Sequence, residues 1–241
     1  MKIRLDKYLA DMGLGTRSQI KKEIRSGQVV VNGISICRPE VKIDTGQDKV
    51  IFHGEPVTYE EYEYFMLNKP AGVISAASDC QETTVIDLIR DRKRDDLFPV
   101  GRLDKDTEGL LIITNNGELA HRLLSPKKHV DKVYFARING RVTQSDVDIF
   151  SRGVDIGDEK PTLPADLVIC TSDEVSDIRL TIREGRFHQV KRMFQAVGKE
   201  VVYLKRLRMG SIALDESLKP GEYRRLTEEE VERLCSQERK P

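Results

Sequence analysis

The intervals between strand-length apolar segments constrain this chain more than any other feature. Segments 165–170 and 178–183 meet through Ser176-Asp177, and segment 200–207 turns back through Met209-Gly210-Ser211. Such intervals suit hairpins and are too short for the crossover of roughly a dozen residues or more that a parallel pair needs. Further strands are predicted at 62–67, 110–114, 132–138 and near Tyr223, with helices at 84–89, 117–124, 144–151, 186–197 and 227–235. This mixture predicts an α+β domain on a mainly antiparallel mixed sheet, not a doubly wound parallel one.

The first sixty residues follow a different grammar. Residues 5–12 read as a short amphipathic helix, and Thr16 with Gln19 spells a capping box ahead of a second helix that places Ile20 and Ile24 on one face. Gly27 stops that helix, and Val29-Val30-Val31, an Asn32-Gly33 turn and Ile34-Ser35-Ile36 form a hairpin. Arg17, Lys21, Lys22 and Arg25 cover the faces that Ile20 and Ile24 leave free. The acidic stretch from Glu55 to Glu63, with Pro56, reads as a linker, giving domains at 1–59 and 60–241.

Forty basic residues balance forty acidic ones, yet the balance is a cancellation between blocks. Residues 1–30 carry a net +4 and residues 183–208 a net +6, against −5 over 40–63 and −6 over 155–177. The basic blocks are expected to face a polyanion and the acidic ones solvent. The N-terminus is charged where a secretion signal needs an apolar run, and the longest aliphatic run, 110–113, is too short to span a bilayer. Cys37, Cys80, Cys170 and Cys235 have no paired spacing for zinc or a disulfide framework, so a soluble cytoplasmic protein is expected.

Three segments carry chemistry. In Gly101-Arg102-Leu103-Asp104-Lys105-Asp106-Thr107-Glu108-Gly109, acids at alternate positions followed by glycine imitate a calcium loop, but Asn115 stands where a bidentate glutamate is required. Asp104, set in an apolar frame, is instead a candidate half-buried carboxylate. In Gly185-Arg186-Phe187-His188-Gln189-Val190-Lys191-Arg192-Met193-Phe194, helical spacing gives an apolar stripe of Phe187, Val190, Met193, Phe194 and Val197. Lys191 then lies at the stripe's edge, suited to a carboxylate partner, and Arg192 faces away, free for phosphate. On the strand Lys132-Val133-Tyr134-Phe135-Ala136, Tyr134 shares a face with Lys132 and Ala136, away from the more apolar side, where its ring could stack on a base.

These segments, together with Met66-Leu67-Asn68-Lys69-Pro70-Ala71-Gly72-Val73, resemble in order and spacing the motifs of RNA pseudouridine synthases of the RsuA type. Residues 1–60 resemble the S4-like RNA-binding module with its alpha-L motif. The resemblance implies that Asp104 is the catalytic nucleophile, that Tyr134 packs against the target base and that Lys191 occupies the position pairing with the nucleophile. It implies that Arg102 helps hold the displaced strand. The helix face of Arg17, Lys21, Lys22 and Arg25, and the segment of Arg186, His188, Gln189 and Arg192, would grip RNA on either side of a flipped nucleotide. Asn116 departs from the aspartate frequent in relatives, at a turn.

The implied reaction breaks the N1–C1′ bond of a uridine and rejoins the base through C5, with no metal or redox cofactor. Whether Asp104 attacks C6, attacks C1′ or drives elimination to a glycal is left open. The compact length favours 16S rRNA in a small-subunit assembly intermediate, acted on by a monomer with no membrane partner, with 23S rRNA as the alternative. A non-catalytic RNA-binding assembly factor and a hydrolytic glycosidase using Asp104 and Asp106 are the rivals from other classes.

Overall fold

The computed structural model describes residues 1–236, which form two compact units. The first comprises Met1–Glu63 and Arg90–Leu97, the second Tyr64–Ile89 and the chain from Phe98 onward.

In the first unit, β1 (Lys2–Arg4) leads into α1 (Leu5–Asp11), followed by α2 (Arg17–Arg25), β2 (Val29–Val31), β3 (Ile34–Ser35), β4 (Lys42–Asp44), β5 (Val50–Phe52) and β6 (Glu55–Val57). The capping box forms as predicted, with Thr16 Oγ1 accepting from Gln19 N–H, and Asn32 and Gly33 both take the positive φ that a two-residue hairpin needs. Leu5, Tyr8, Leu9, Ile20, Ile24 and Val29 bury their side chains in one core. Four strands pair in the order β3-β2-β5-β6, and β1 pairs with β4.

The expected linker at 55–63 is part of the folded first unit. Residues 55–57 are a strand, and Glu63 is buried because its carboxylate accepts the backbone N–H groups of Lys93 and Arg94. Arg94 is buried as well, forked onto Asp96 and lying over the Tyr59 ring. The first unit therefore extends to Glu63 and takes in residues 90–97. No composition shift marks that return.

The second unit is built on a sheet ordered β11-β12-β10-β13-β9-β7-β15. Its elements are β7 (Tyr64–Lys69), β8 (Phe98–Pro99), β9 (Glu108–Thr114), α3 (Gly117–Leu124), β10 (Lys132–Asn139), α4 (Gln144–Phe150), β11 (Asp166–Thr171), β12 (Val175–Ile182), α5 (Gln189–Ala196), β13 (Glu200–Met209), β14 (Ile212–Ala213), β15 (Tyr223–Arg225) and α6 (Glu228–Ser236). Among the described residues every strand-to-strand pairing of this sheet is antiparallel except β9 with β13, so the expected mixed sheet is present. The β11–β12 turn lies at 172–174, ahead of the predicted Ser176-Asp177. The helix predicted at 84–89 is a turn, because Val85 N–H bonds across to Ile74 and Thr84 closes locally on Asp87. Asn116 is the N-cap of α3, accepting from Leu119 N–H at 3.0 Å.

The parallel pair depends on a close approach. Gly109 has φ +101°, and a Cβ there would lie 2.3 Å from the Arg206 carbonyl oxygen. Gly109→Ala is expected to cost at least about 3 kcal/mol of stability, since strain and clash combine. Urea unfolding measures this, and an unchanged midpoint would contradict the geometry. Among the described residues no helix is long and apolar enough to cross a membrane.

Candidate active site

A cavity of about 750 Å³ opens in the second unit, lined in part by Leu103, Asp104, Tyr134, Ile182, Lys191 and Arg206. That volume suits a small-molecule-sized group such as one nucleotide.

Asp104 sits on the loop between β8 and β9, and Lys69 at the end of β7 shapes that loop. The Lys69 side chain is wholly buried, and its ammonium donates to the carbonyls of Pro70 (3.0 Å), Asp104 (3.0 Å), Lys105 (3.3 Å) and Thr107 (2.9 Å). Burial pulls the Lys69 ammonium down to about 8, against the raising influence of Asp106, Asp104 and Glu108. Gly72 N–H donates to Lys105 O, Thr107 N–H donates to Asp104 O, and Ser75 Oγ both donates to and accepts from the Leu103 backbone. The loop backbone is thus fixed at four residues, Leu103, Asp104, Lys105 and Thr107, and none of these bonds uses the Asp104 carboxylate.

That carboxylate is about a quarter exposed, with Lys191 Nζ 3.5 Å from Oδ2 and His188 Nε2 3.6 Å from Oδ1. The tighter partner of Lys191 is Asp106, at 2.6 and 2.8 Å, and this hydrogen bond holds the Asp106 carboxyl below its usual range. Lys191 therefore bridges two carboxylates, one of which, Asp106, faces solvent. His188 precedes α5 in a left-handed conformation, φ +49°, with the Phe187 ring stacked on it at 3.8 Å.

Several sequence expectations need correction. Helix α5 begins at Gln189, not at residue 186, because the Gln189 side chain accepts from Arg186 N–H and donates to Glu184. That turn leaves Phe187 outside the helix and 73% exposed, not on the apolar stripe. Arg192 is not free for phosphate: it donates to Asp158 Oδ1 at 2.6 Å and to the carbonyls of Ile156 and Phe187. Arg186 is forked among Glu184, Asp158, Lys160 O and Pro161 O. The acidic 155–177 block thus neutralises part of the basic 183–208 block, and does not simply face solvent. Gln189 is buried and acts as a local clasp.

Tyr134 also differs from expectation. Lys132, Tyr134, Ala136 and Ile138 form the buried face of β10, and Val133 and Phe135 the less buried one. The Tyr134 ring reaches the cavity from within the core side. Arg102 is exposed at the cavity edge. In the first unit, Lys22 and Arg25 are exposed on α2, and Arg17 and Lys21 approach the buried Asp6 carboxylate at 3.9 Å. Sequence reasoning missed Lys69, Ser75, Lys132 and Arg206 as parts of the site. For Lys132 and Arg206 the signal was a cation in a core-facing register position.

A family model described as RNA pseudouridylate synthase matches residues 63–196, and an S4 domain model matches residues 3–49. The chain is 48% identical to an uncharacterised RNA pseudouridine synthase of Bacillus subtilis, over 96% of this chain and 98% of that one. It is 42% identical to ribosomal small subunit pseudouridine synthase A of Haemophilus influenzae, over 96% of this chain and 99% of that protein. A crystal structure of a pseudouridylate synthase, 40% identical, superposes with a TM-score of 0.68 over 96% of this chain and 99% of its own.

Proposed function

Because the chain belongs to the RNA pseudouridylate synthase family, we propose that it isomerises one uridine of 16S rRNA, with Asp104 as its nucleophile, in a cytoplasmic small-subunit assembly intermediate. The observation that carries this reading is a partly exposed carboxylate at a nucleotide-sized cavity, on a loop whose backbone a buried lysine holds. The 16S target rests on the small-subunit relatives.

A stacked uridine must leave the RNA helix to reach Asp104, at a cost of a few kcal/mol. The Tyr134 ring then packs against the base, and exposed Arg102 steadies the strand at the cavity edge. Lys191, fixed by Asp106, holds its ammonium beside Asp104 as charge redistributes. The N1–C1′ bond breaks, the uracil turns, C5 bonds to C1′, the C5 proton departs and N1 gains one. Atoms and electrons balance without an external reactant.

Mapping pseudouridines in rRNA of a deletion strain tests the substrate. Loss of one 16S site with 23S rRNA intact is expected, and loss of a 23S site with 16S intact would overturn the assignment. The basic residues separate by their partners. Lys22→Ala, on the exposed face of α2, should weaken RNA binding and reduce the slope of log K against log salt by about 1. Arg192→Ala should leave that slope unchanged and lower stability only modestly, since the contact to Asp158 that it breaks is screened by solvent. A slope change in Arg192→Ala, seen by filter binding across salt, would return Arg192 to the RNA interface.

A further inference from the structure

Two cations in the cavity wall have no part in the chemistry so far. Lys132 on β10 is 6% exposed and Arg206 on β13 is 2% exposed, and both line the cavity. Arg206 lies directly across the strand pair from Tyr134, and Lys132 shares the buried face of β10 with it. Lys132 Nζ donates to Val130 O at 3.1 Å, and Arg206 Nε donates to Leu110 O at 2.8 Å. Arg206 Nη2 is buried with no acceptor. Among the described residues neither cation forms a salt bridge.

Two like charges shut away from water with no carboxylate in direct contact, only Asp131 and Glu184 acting on Lys132 from farther off, destabilise a fold unless something else compensates. The bond to Leu110 O accounts for Nε as a tie between β13 and β9, but it leaves Nη2 unexplained. Burial and the nearby Arg206 bring the Lys132 ammonium down to about 8, against the raising influence of Asp131 and Glu184, so it is still mainly protonated at neutral pH. A ligand with a concentrated negative or strongly polar oxygen would satisfy both groups.

We propose that Arg206 and Lys132 bind a carbonyl oxygen of the flipped uracil and stabilise the negative charge it acquires as the glycosidic bond breaks. This rests on the reading above that the uridine enters this cavity. When C1′–N1 breaks, its electron pair goes to N1 and spreads onto O2 and O4. After the ring turns, C5 supplies the pair for the new bond to C1′, the C5 proton leaves and N1 is protonated. Cations fixed at a ring oxygen lower the barrier to the first of these steps, as donors aimed at developing charge do elsewhere. A backbone phosphate fits the position less well. Leu103, Tyr134, Ile182 and Leu204 enclose the two cations in apolar surface suited to a flat base, whereas exposed Arg102 is placed for a phosphate.

The test uses the full chain as wild type, Lys132→Met, Arg206→Lys and Arg206→Gln, with thermal unfolding to establish that each is folded. Single-turnover rates are measured at saturating rRNA fragment carrying either uridine or 5-fluorouridine at the target, reading glycosidic cleavage from nucleoside digests. Each variant is expected to lose about 10²-fold in rate on uridine with RNA affinity kept. Fluorine makes the uracil a better leaving group, so the deficit on 5-fluorouridine should shrink about tenfold. If Arg206→Gln does not fold, Arg206→Lys and Lys132→Met carry the comparison. Weakened RNA affinity with an unchanged saturating rate would overturn the proposal in favour of a phosphate site. An equal deficit on both substrates would overturn it in favour of a structural role. A wild-type protein inactive on the fragment would instead sink the substrate assignment.

Discussion

Asp104→Asn is expected to lower the single-turnover rate of isomerisation by at least about 10⁴-fold while leaving the protein folded, because loss of a nucleophile is not recovered by its neighbours. The substitution preserves shape and removes the anion. The loop should survive it, since Lys69, Gly72, Ser75 and Thr107 grip that loop through backbone atoms. The Asp104 carboxylate itself reaches Lys191 and His188 only at 3.5 and 3.6 Å. Lys191 keeps its closer partner, Asp106. Tritium released from RNA labelled at uridine C5 measures the reaction, and circular dichroism on heating measures the fold. Release at near wild-type rate would remove Asp104 from the nucleophile's role. Free uracil among the products of the wild type would point to hydrolysis instead.

Lys69→Met should damage both fold and catalysis. The apolar stem is replaced well, but the carbonyls of Pro70, Asp104, Lys105 and Thr107 lose a shared donor in a buried place. Stability is expected to fall by about 3 kcal/mol, the cost of leaving such acceptors unsatisfied. The rate at saturating RNA should fall about 10²-fold, because the nucleophile's loop is then free to shift by an ångström or so. The pH dependence has a definite sign. With a folded value near 8, below the 10.5 of an ordinary lysine, the unfolded chain holds this proton more tightly. The buried charge therefore costs stability at neutral pH, and that cost lifts as pH rises from about 8 towards 10.5. Lys69→Met lacks this contribution, so the gap between wild type and variant should widen between pH 7.5 and 9.5, values chosen to flank about 8. Urea titrations at the two pH values check it; a gap that narrows would contradict the assignment.

Short-range chemistry in the sequence was the most legible. The Thr16–Gln19 box, the Asn32-Gly33 turn and most helices and strands follow from local rules, and all appear close to where those rules place them. Asp104 in a half-buried loop and Lys191 near a carboxylate were also legible. What was not legible depends on pairing at a distance. Arg192 looked free because Asp158, its partner, belongs to a segment with no helical or strand relation to it. Tyr134 does share a face with Lys132 and Ala136, but that face is the buried one: Val133 and Phe135 look more apolar in sequence, whereas the cavity lets Lys132 and Tyr134 point inward. Glu63 resembled a solvated linker residue, yet the N–H groups of Lys93 and Arg94 bury it. Phe187 fits a helical stripe by spacing alone, and the Gln189 clasp starts the helix after it.

The parallel pairing of β9 with β13, Glu108 and Gly109 against Lys205 and Arg206, also has a meaning in time. Hairpins such as β11–β12 close locally and early, whereas pairing segments so far apart in sequence carries a large loop-closure entropy and comes late. Arg206 meets the Asp104 side of the cavity only when that contact forms. A chain in which that contact has not formed is expected to present a nucleophile without a finished pocket. Capacity to act on RNA should be acquired in one step, near the end of folding, and refolding followed by activity should lag refolding followed by helix signal.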